Sequence, residues 1–100
     1  MYKSLIEEPS KSHYLNILDE TITLFNGSDH NSAEQDCILE QLKDIKHNVI
    51  EKRMITDWDE INERYTLGAI ALQFFDEGDE IRERLSDILG GAIHYDELSD

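Results

Sequence analysis

Ser32-Ala33-Glu34-Gln35-Asp36-Cys37-Ile38-Leu39-Glu40-Gln41-Leu42-Lys43-Asp44-Ile45-Lys46-His47-Asn48-Val49-Ile50-Glu51-Lys52-Arg53 is the stretch on which the fold class turns. Ile38, Leu42, Ile45 and Val49 recur at steps of four, three and four, with Leu39 and Ile50 beside them and Met54 at the margin. That period places one apolar stripe on one side of an α-helix. Glu34, Glu40, Lys43, Asp44, His47 and Glu51 fall on the other side. Charge pairs along such a face contribute only tenths of a kcal/mol, so the stripe decides the assignment. Ser32 followed by Gln35 reads as a capping box at its start.

Upstream, Asn26-Gly27-Ser28-Asp29-His30-Asn31 is a polar turn in which Gly27 is suited to the left-handed residue that ends a helix. Before it, Tyr14, Leu18, Ile22 and Phe25 step by four, four and three, with Leu15 and Ile17 widening the stripe. This predicts a helix over 12–25, with Ser10 and Ser12 as candidate N-caps. Residues 1–9 read as an extended lead-in ending at Pro9, the only proline.

Downstream, Thr56 is a plausible N-cap, with Asp57, Asp59 and Glu60 in the first turn where the helix dipole favours anions. Ile61, Tyr65, Gly68, Leu72 and Phe75 continue as one stripe. Gly68-Ala69-Ile70-Ala71 is apolar nearly all round, which predicts a central helix packed on several sides. After the turn Asp76-Glu77-Gly78-Asp79, Asp79 caps a short helix that buries Ile81, Leu85, Ile88 and Leu89, with Gly90-Gly91 as its stop. The tail has two options, docking through Ile93, Tyr95 and Leu98 or fraying. The expected fold is therefore all-α, an irregular antiparallel four-helix bundle in a single domain over 1–100, with 1–9 and 92–100 as ends free to fray.

At 100 residues, 39% of them apolar, the chain suffices for one modest core. The balance of 23 acids to 9 bases gives a net charge of −14, which opposes direct contact with nucleic acid or anionic membrane. No apolar run approaches the roughly 20 residues of a membrane span, and the N-terminal octet lacks the apolar core of a signal peptide. With Cys37 alone, no internal disulfide forms; the reading is a reducing cytoplasm. Cys37 itself is expected in the core or at its boundary, and its neighbour Asp36 is wrong for an activated thiolate.

Catalytic and metal chemistry find no support. His13, His30, His47 and His94 are scattered, none paired at a helical interval as zinc ligation from one helix requires. The Asp57–Glu60 run fails as a calcium loop, because its sixth position is Asn62 and its twelfth Gly68. The Asp76–Glu80 cluster fails likewise, with Gly78 third and Ile81 sixth. There is no phosphate-cradling glycine loop and no nucleophile elbow. No cofactor is implied, and the expectation is a protein that is not an enzyme.

Charge distribution is more informative. Residues 57–100 carry thirteen acids against Arg64, Arg82 and Arg84, a net of −10, whereas residues 1–56 carry −4. Self-repulsion at that density lowers stability, so a coherent reason for it is a cationic partner. Trp58, Tyr65 and Tyr95 lie among the acids, and aromatics ringed by carboxylates suit a protein interface; Tyr65, on the stripe, reads as core. The expected partner-binding set is Asp57, Trp58, Asp59, Glu60, Asp76, Glu77, Asp79, Glu80 and Glu83.

Leu72-Gln73-Phe74-Phe75-Asp76-Glu77-Gly78-Asp79-Glu80-Ile81-Arg82 is similar in character to the acidic turn-plus-helix segments of the colicin D type immunity proteins, over about a tenth of the chain. The paired-tyrosine signature of the DNase-colicin immunity proteins is absent, so no binding residue carries over from that group. The resemblance implies a stoichiometric inhibitor that covers the basic surface of a nuclease toxin. Phage or mobile-element DNA mimics, such as anti-restriction and anti-CRISPR proteins, share the composition and are the alternative. A generic helical adaptor subunit is a third. A homodimer is open, because a helix as apolar as 68–75 can self-associate.

Overall fold

A computed structural model describes residues 2–26, 33–55 and 57–99, with the backbone alone for residues 33–35 and 58. The described chain is predominantly helical and contains no strand. Five α-helices follow in order: α1 (Lys11–Asn26), α2 (Ala33–Asp44), α3 (Trp58–Arg64), α4 (Leu67–Phe74) and α5 (Glu80–Ile93). A π-helical stretch, Ile45–Glu51, continues α2, and a 3-10 turn, Tyr95–Glu97, follows α5. No described helix is long and apolar enough to cross a membrane.

The α1 stripe forms as its period predicts. Tyr14, Ile17, Leu18, Thr21 and Phe25 are buried, and Ser10 Oγ caps the helix by accepting from His13 N at 3.1 Å. Along α2 and the π segment, Ile38, Leu42, Ile45 and Val49 are all sealed from solvent. The proposed Ser32–Gln35 box, the Gly27 helix stop and His30 lie outside the described residues. Met54, read as marginal to the stripe, is 72% exposed. The helical stretch ends at Glu51, and two residues on, Arg53 takes a φ of 54°, which is costly for a residue with a Cβ. The guanidinium holds that turn by donating to Val49 O at 3.0 Å and pairing with Asp96, while stacking 5.2 Å from the Tyr95 ring centroid.

The expected single helix over 57–75 is two helices. Tyr65 is extended (φ −113°, ψ 132°), which ends α3 and lets Thr66 start α4. Tertiary bonds from α2 impose the break. Gln41 accepts from Thr66 N at 2.8 Å through Oε1 and donates to Thr66 Oγ1 at 2.9 Å through Nε2. Asp44 takes Arg64 Nε at 2.8 Å and the Tyr65 hydroxyl at 2.5 Å. Local apolar periodicity carries no trace of these partners. Thr56, the expected cap, is outside the described residues; Asp57 caps α3, its carboxylate accepting from Glu60 N.

The break also displaces α4 from the centre. Leu67 and Ala71 are buried, but Ala69 and Gln73 face solvent, and Leu72 and Phe74 are 66% and 54% exposed. The core helix is α5, which touches α1, α3, α4 and the π segment. It runs 14 residues, straight through Gly90-Gly91 rather than stopping there. Glycine continues the helix at 91 because no side chain fits: a Cβ there would lie 2.4 Å from the Tyr14 ring and 2.8 Å from Leu5.

Both ends of the described chain are packed. Leu5 is buried and donates its amide to Asp87 at 3.1 Å. Ser99 accepts from Lys11 N at 2.8 Å and its hydroxyl donates to Pro9 O at 3.0 Å, tying the tail to the lead-in. Cys37, expected in the core or at its boundary, is instead exposed, beside Gln41.

Candidate partner-binding surface

Two acidic clusters hold the predicted residues. Asp57, Asp59 and Glu60 sit at the start of α3, all exposed; Trp58 opens that helix, and its side chain lies outside the described residues. Asp76, Glu77 and Asp79 form the turn into α5, and Glu80 and Glu83 lie in its first turn, all exposed. Gly78 makes this turn with φ of +92°, a left-handed conformation that glycine adopts without steric cost.

Two of these acids have structural work. Asp57 caps α3, and Asp79 caps α5 by accepting from Ile81 N at 2.8 Å. Both roles leave the carboxylate at the surface. Glu80 pairs with Arg84 Nε at 2.9 Å. The described ion pairs include none to Asp57, Asp59, Glu60, Asp76, Glu77, Asp79 or Glu83.

The distribution of the arginines explains why. Arg64 is the base next to the α3 acids, yet it is held by Asp44 of α2. That contact keeps the Asp44 carboxyl below the ordinary carboxylate range, chiefly through the Arg64 hydrogen bond, and raises the Arg64 guanidinium. Arg84 turns inward to Glu80, Thr21 and Glu20. Of the predicted surface acids, these two arginines therefore neutralise Glu80 alone.

The two clusters are not joined by any described hydrogen bond or ion pair. Each instead meets other residues. Glu60 shares a cavity of about 370 Å³ with Ile55, Glu63 and Arg64. Glu80 shares one of about 400 Å³ with Asp19, Glu20, Thr23, Leu24 and Arg84, so α1 acids join the α5 end of the surface.

Sequence reasoning placed Leu72 on the buried stripe and gave Phe74 no role. Phe74 stands exposed two and three residues ahead of Asp76 and Glu77. Tyr65 is buried, as its stripe position predicts, and Tyr95 is half-buried beneath Lys11 and Arg53. A second missed feature is Arg84, whose side chain is 10% exposed. Its signal was legible: it lies three residues after Ile81 and one before Leu85, on the inward face of the last helix. No group of three or more described His, Cys, Asp or Glu side chains is arranged to hold a metal ion. Comparison with protein-family models, with curated proteins and with solved structures finds no match to this chain.

Proposed function

We propose that the protein is a stoichiometric inhibitor, in form an immunity protein, that docks its acidic surface on the basic nucleic-acid site of a nuclease toxin in the cytoplasm. The observation carrying this reading is the set of surface carboxylates without cationic partners at the start of α3 and in the α4–α5 turn, next to exposed Phe74. Carboxylates of this kind attract a cationic surface at long range and accelerate encounter. An aromatic beside them supplies the apolar contact that charge alone lacks. The scaffold we infer is a four-helix bundle whose third helix is interrupted between α3 and α4.

Affinity capture from the native host at low ionic strength tests it. The captured protein should be basic and act on nucleic acid, lose its activity at one equivalent of this protein, and be released as salt screens the contact. Recovery of neutral metabolic enzymes alone, or of a basic partner whose activity is untouched at excess, would overturn the reading. DNA mimicry differs in asking for carboxylates spaced like phosphates in one row along a single face.

A helical adaptor is the second reading, favoured by one observation: Leu72 is 66% exposed on a helix that already buries Leu67 and Ala71 against α5. It requires a complex insensitive to ionic strength and abolished by Leu72→Ser.

A further inference from the structure

The N-terminal segment, α1 and α5 line a half-open cavity of about 480 Å³ that shares no residue but Glu80 with the acidic clusters. Tyr2, Lys3, His13, Glu20, Glu80 and Arg84 carry its chemistry, with Asn16 and Ile17 completing the wall. Arg84 is the central group. Its side chain is nine-tenths buried, its Nε donates to Glu80 at 2.9 Å, its Nη1 donates to Thr21 at 3.2 Å, and the Tyr2 ring lies 4.6 Å from the guanidinium carbon. Nη2 has no acceptor among the described residues. No described side-chain nitrogen or oxygen that is sealed from solvent lacks a partner, so Nη2 keeps contact with solvent, and Arg84 lines this cavity as well as the one it shares with Thr23 and Leu24. Burying a guanidinium and leaving donors unpaired is unfavourable unless water or a ligand completes them.

The opposite sign is available in the same wall. Glu20 reaches Arg84 only at 3.7 Å and keeps its side chain 65% exposed, so its carboxylate retains capacity for a cation. Lys3 lines it too, its half-exposed ammonium ion-paired with Glu8 at 3.1 Å in a solvent-screened contact that a ligand carboxylate would have to share. Lys3 and Arg84 balance Glu20 and Glu80, so the lining is formally neutral while both signs converge on one space. A bare anion entering would gain from Arg84 but would be opposed by the −14 field of the whole protein. A bare cation would be attracted by that field everywhere and would leave Nη2 unmet. A small molecule carrying both charges satisfies both walls without net electrostatic penalty.

We infer that this cavity binds a free α-amino acid as its zwitterion, the carboxylate on Arg84 Nη2 and Lys3 and the ammonium on Glu20. The volume accommodates one amino acid with its side chain. The N-terminal segment is part of the site, held over it by the Tyr2 hydroxyl on Asp87 at 2.5 Å and by His13 Nε2 against Lys3 O at 2.8 Å. This inference is independent of the inhibitor reading, since the acidic clusters take no part in it beyond Glu80.

The test is titration of the full chain with each common L-amino acid, followed by backbone amide shifts and by calorimetry, with the N-acetylated acid and the amino-acid amide as single-charge controls. At least one free amino acid should bind at or below about 1 mM and shift amides of residues 2–3, 16–20 and 80–84, and both blocked forms should bind at least about tenfold more weakly. Glu20→Gln and Lys3→Ala, both at the surface, should each reduce affinity by about tenfold while leaving the circular dichroism spectrum unchanged. Absence of shifts at about 10 mM for every amino acid overturns the inference, as does equal binding of the N-acetylated form or full affinity in Glu20→Gln.

Discussion

The Tyr14 ring occupies the space a side chain at Gly91 would need. A Cβ at 91 would fall 2.4 Å from two ring carbons of Tyr14, while the Tyr14 hydroxyl donates to Ile88 O at 2.8 Å one turn earlier on the same helix. Burial also pushes the Tyr14 phenol up in pKa, keeping it a neutral donor. The pair fixes how closely α1 approaches α5, and that approach carries Leu5 and the N-terminal segment with it.

Gly91→Ala should therefore destabilise the fold although alanine favours helices. Forcing a methyl into packed core costs about 1–3 kcal/mol, against a helix-propensity gain of about 1 kcal/mol. The neighbouring change gives the opposite sign. A Cβ at Gly90 meets nothing within 4 Å, so Gly90→Ala should stabilise by up to about 1 kcal/mol. Urea unfolding of the two variants in parallel checks the pair, and equal shifts in the same direction would contradict the packing assigned to Tyr14.

Asp44 should govern part of the acid sensitivity. Its carboxyl is held below the ordinary range by Arg64, with help from Tyr65 and Asn48. A carboxyl whose folded-state pKa is depressed contributes stability at pH values above its unfolded pKa, and that contribution disappears as pH falls through the folded value. Asp44→Ala leaves the Tyr65 hydroxyl without its acceptor, with an expected cost of about 1–3 kcal/mol at pH 7. Below the carboxylate range the variant and the parent should converge. Denaturant midpoints measured from pH 7 to pH 2 show whether they do.

Salt should act on the fold and on the partner complex with opposite signs. Screening relieves self-repulsion in a chain of net charge −14, so the thermal midpoint should rise between low and moderate ionic strength. The same screening should weaken the inhibitor complex through slower association. Asp76→Lys with Glu77→Lys should weaken that complex further while leaving the midpoint equal or higher, since neither carboxylate is ion-paired. A complex strengthened by these reversals would exclude the α4–α5 turn from the contact.

Phe74→Ser should separate binding from stability. The side chain is 54% exposed, so its loss should change folding free energy by no more than about 0.5 kcal/mol. If Phe74 anchors the complex, partner affinity should fall by about tenfold or more. Surface plasmon resonance beside thermal unfolding reads both quantities on one preparation.

Helix existence was legible residue by residue. Tyr14, Leu18 and Phe25, Ile38, Leu42, Ile45 and Val49, and Leu85 with Ile88 are buried where a 3.6-residue period puts them, because a single helical face must leave water whatever covers it. Asp79 capped its helix as its position ahead of the stripe implies, since the cap bond is local. The surplus of acid over base in residues 57–100 was equally open to reading, being a matter of counting.

What the linear pattern lacked were contacts between residues far apart in the chain. The break at Tyr65 is tied to Gln41 and Asp44, more than twenty residues earlier, and beyond it Leu72 faces outward. Gly91 continues its helix because of Tyr14, not because of its own propensity, which argues for a stop. Arg84 and Glu20 meet only when α1 lies against α5. Short-range periodicity and capping chemistry are properties of neighbouring residues and survive translation into sequence; side-chain partners across a helix interface depend on the packing angle and register, which exist only once the chain has folded.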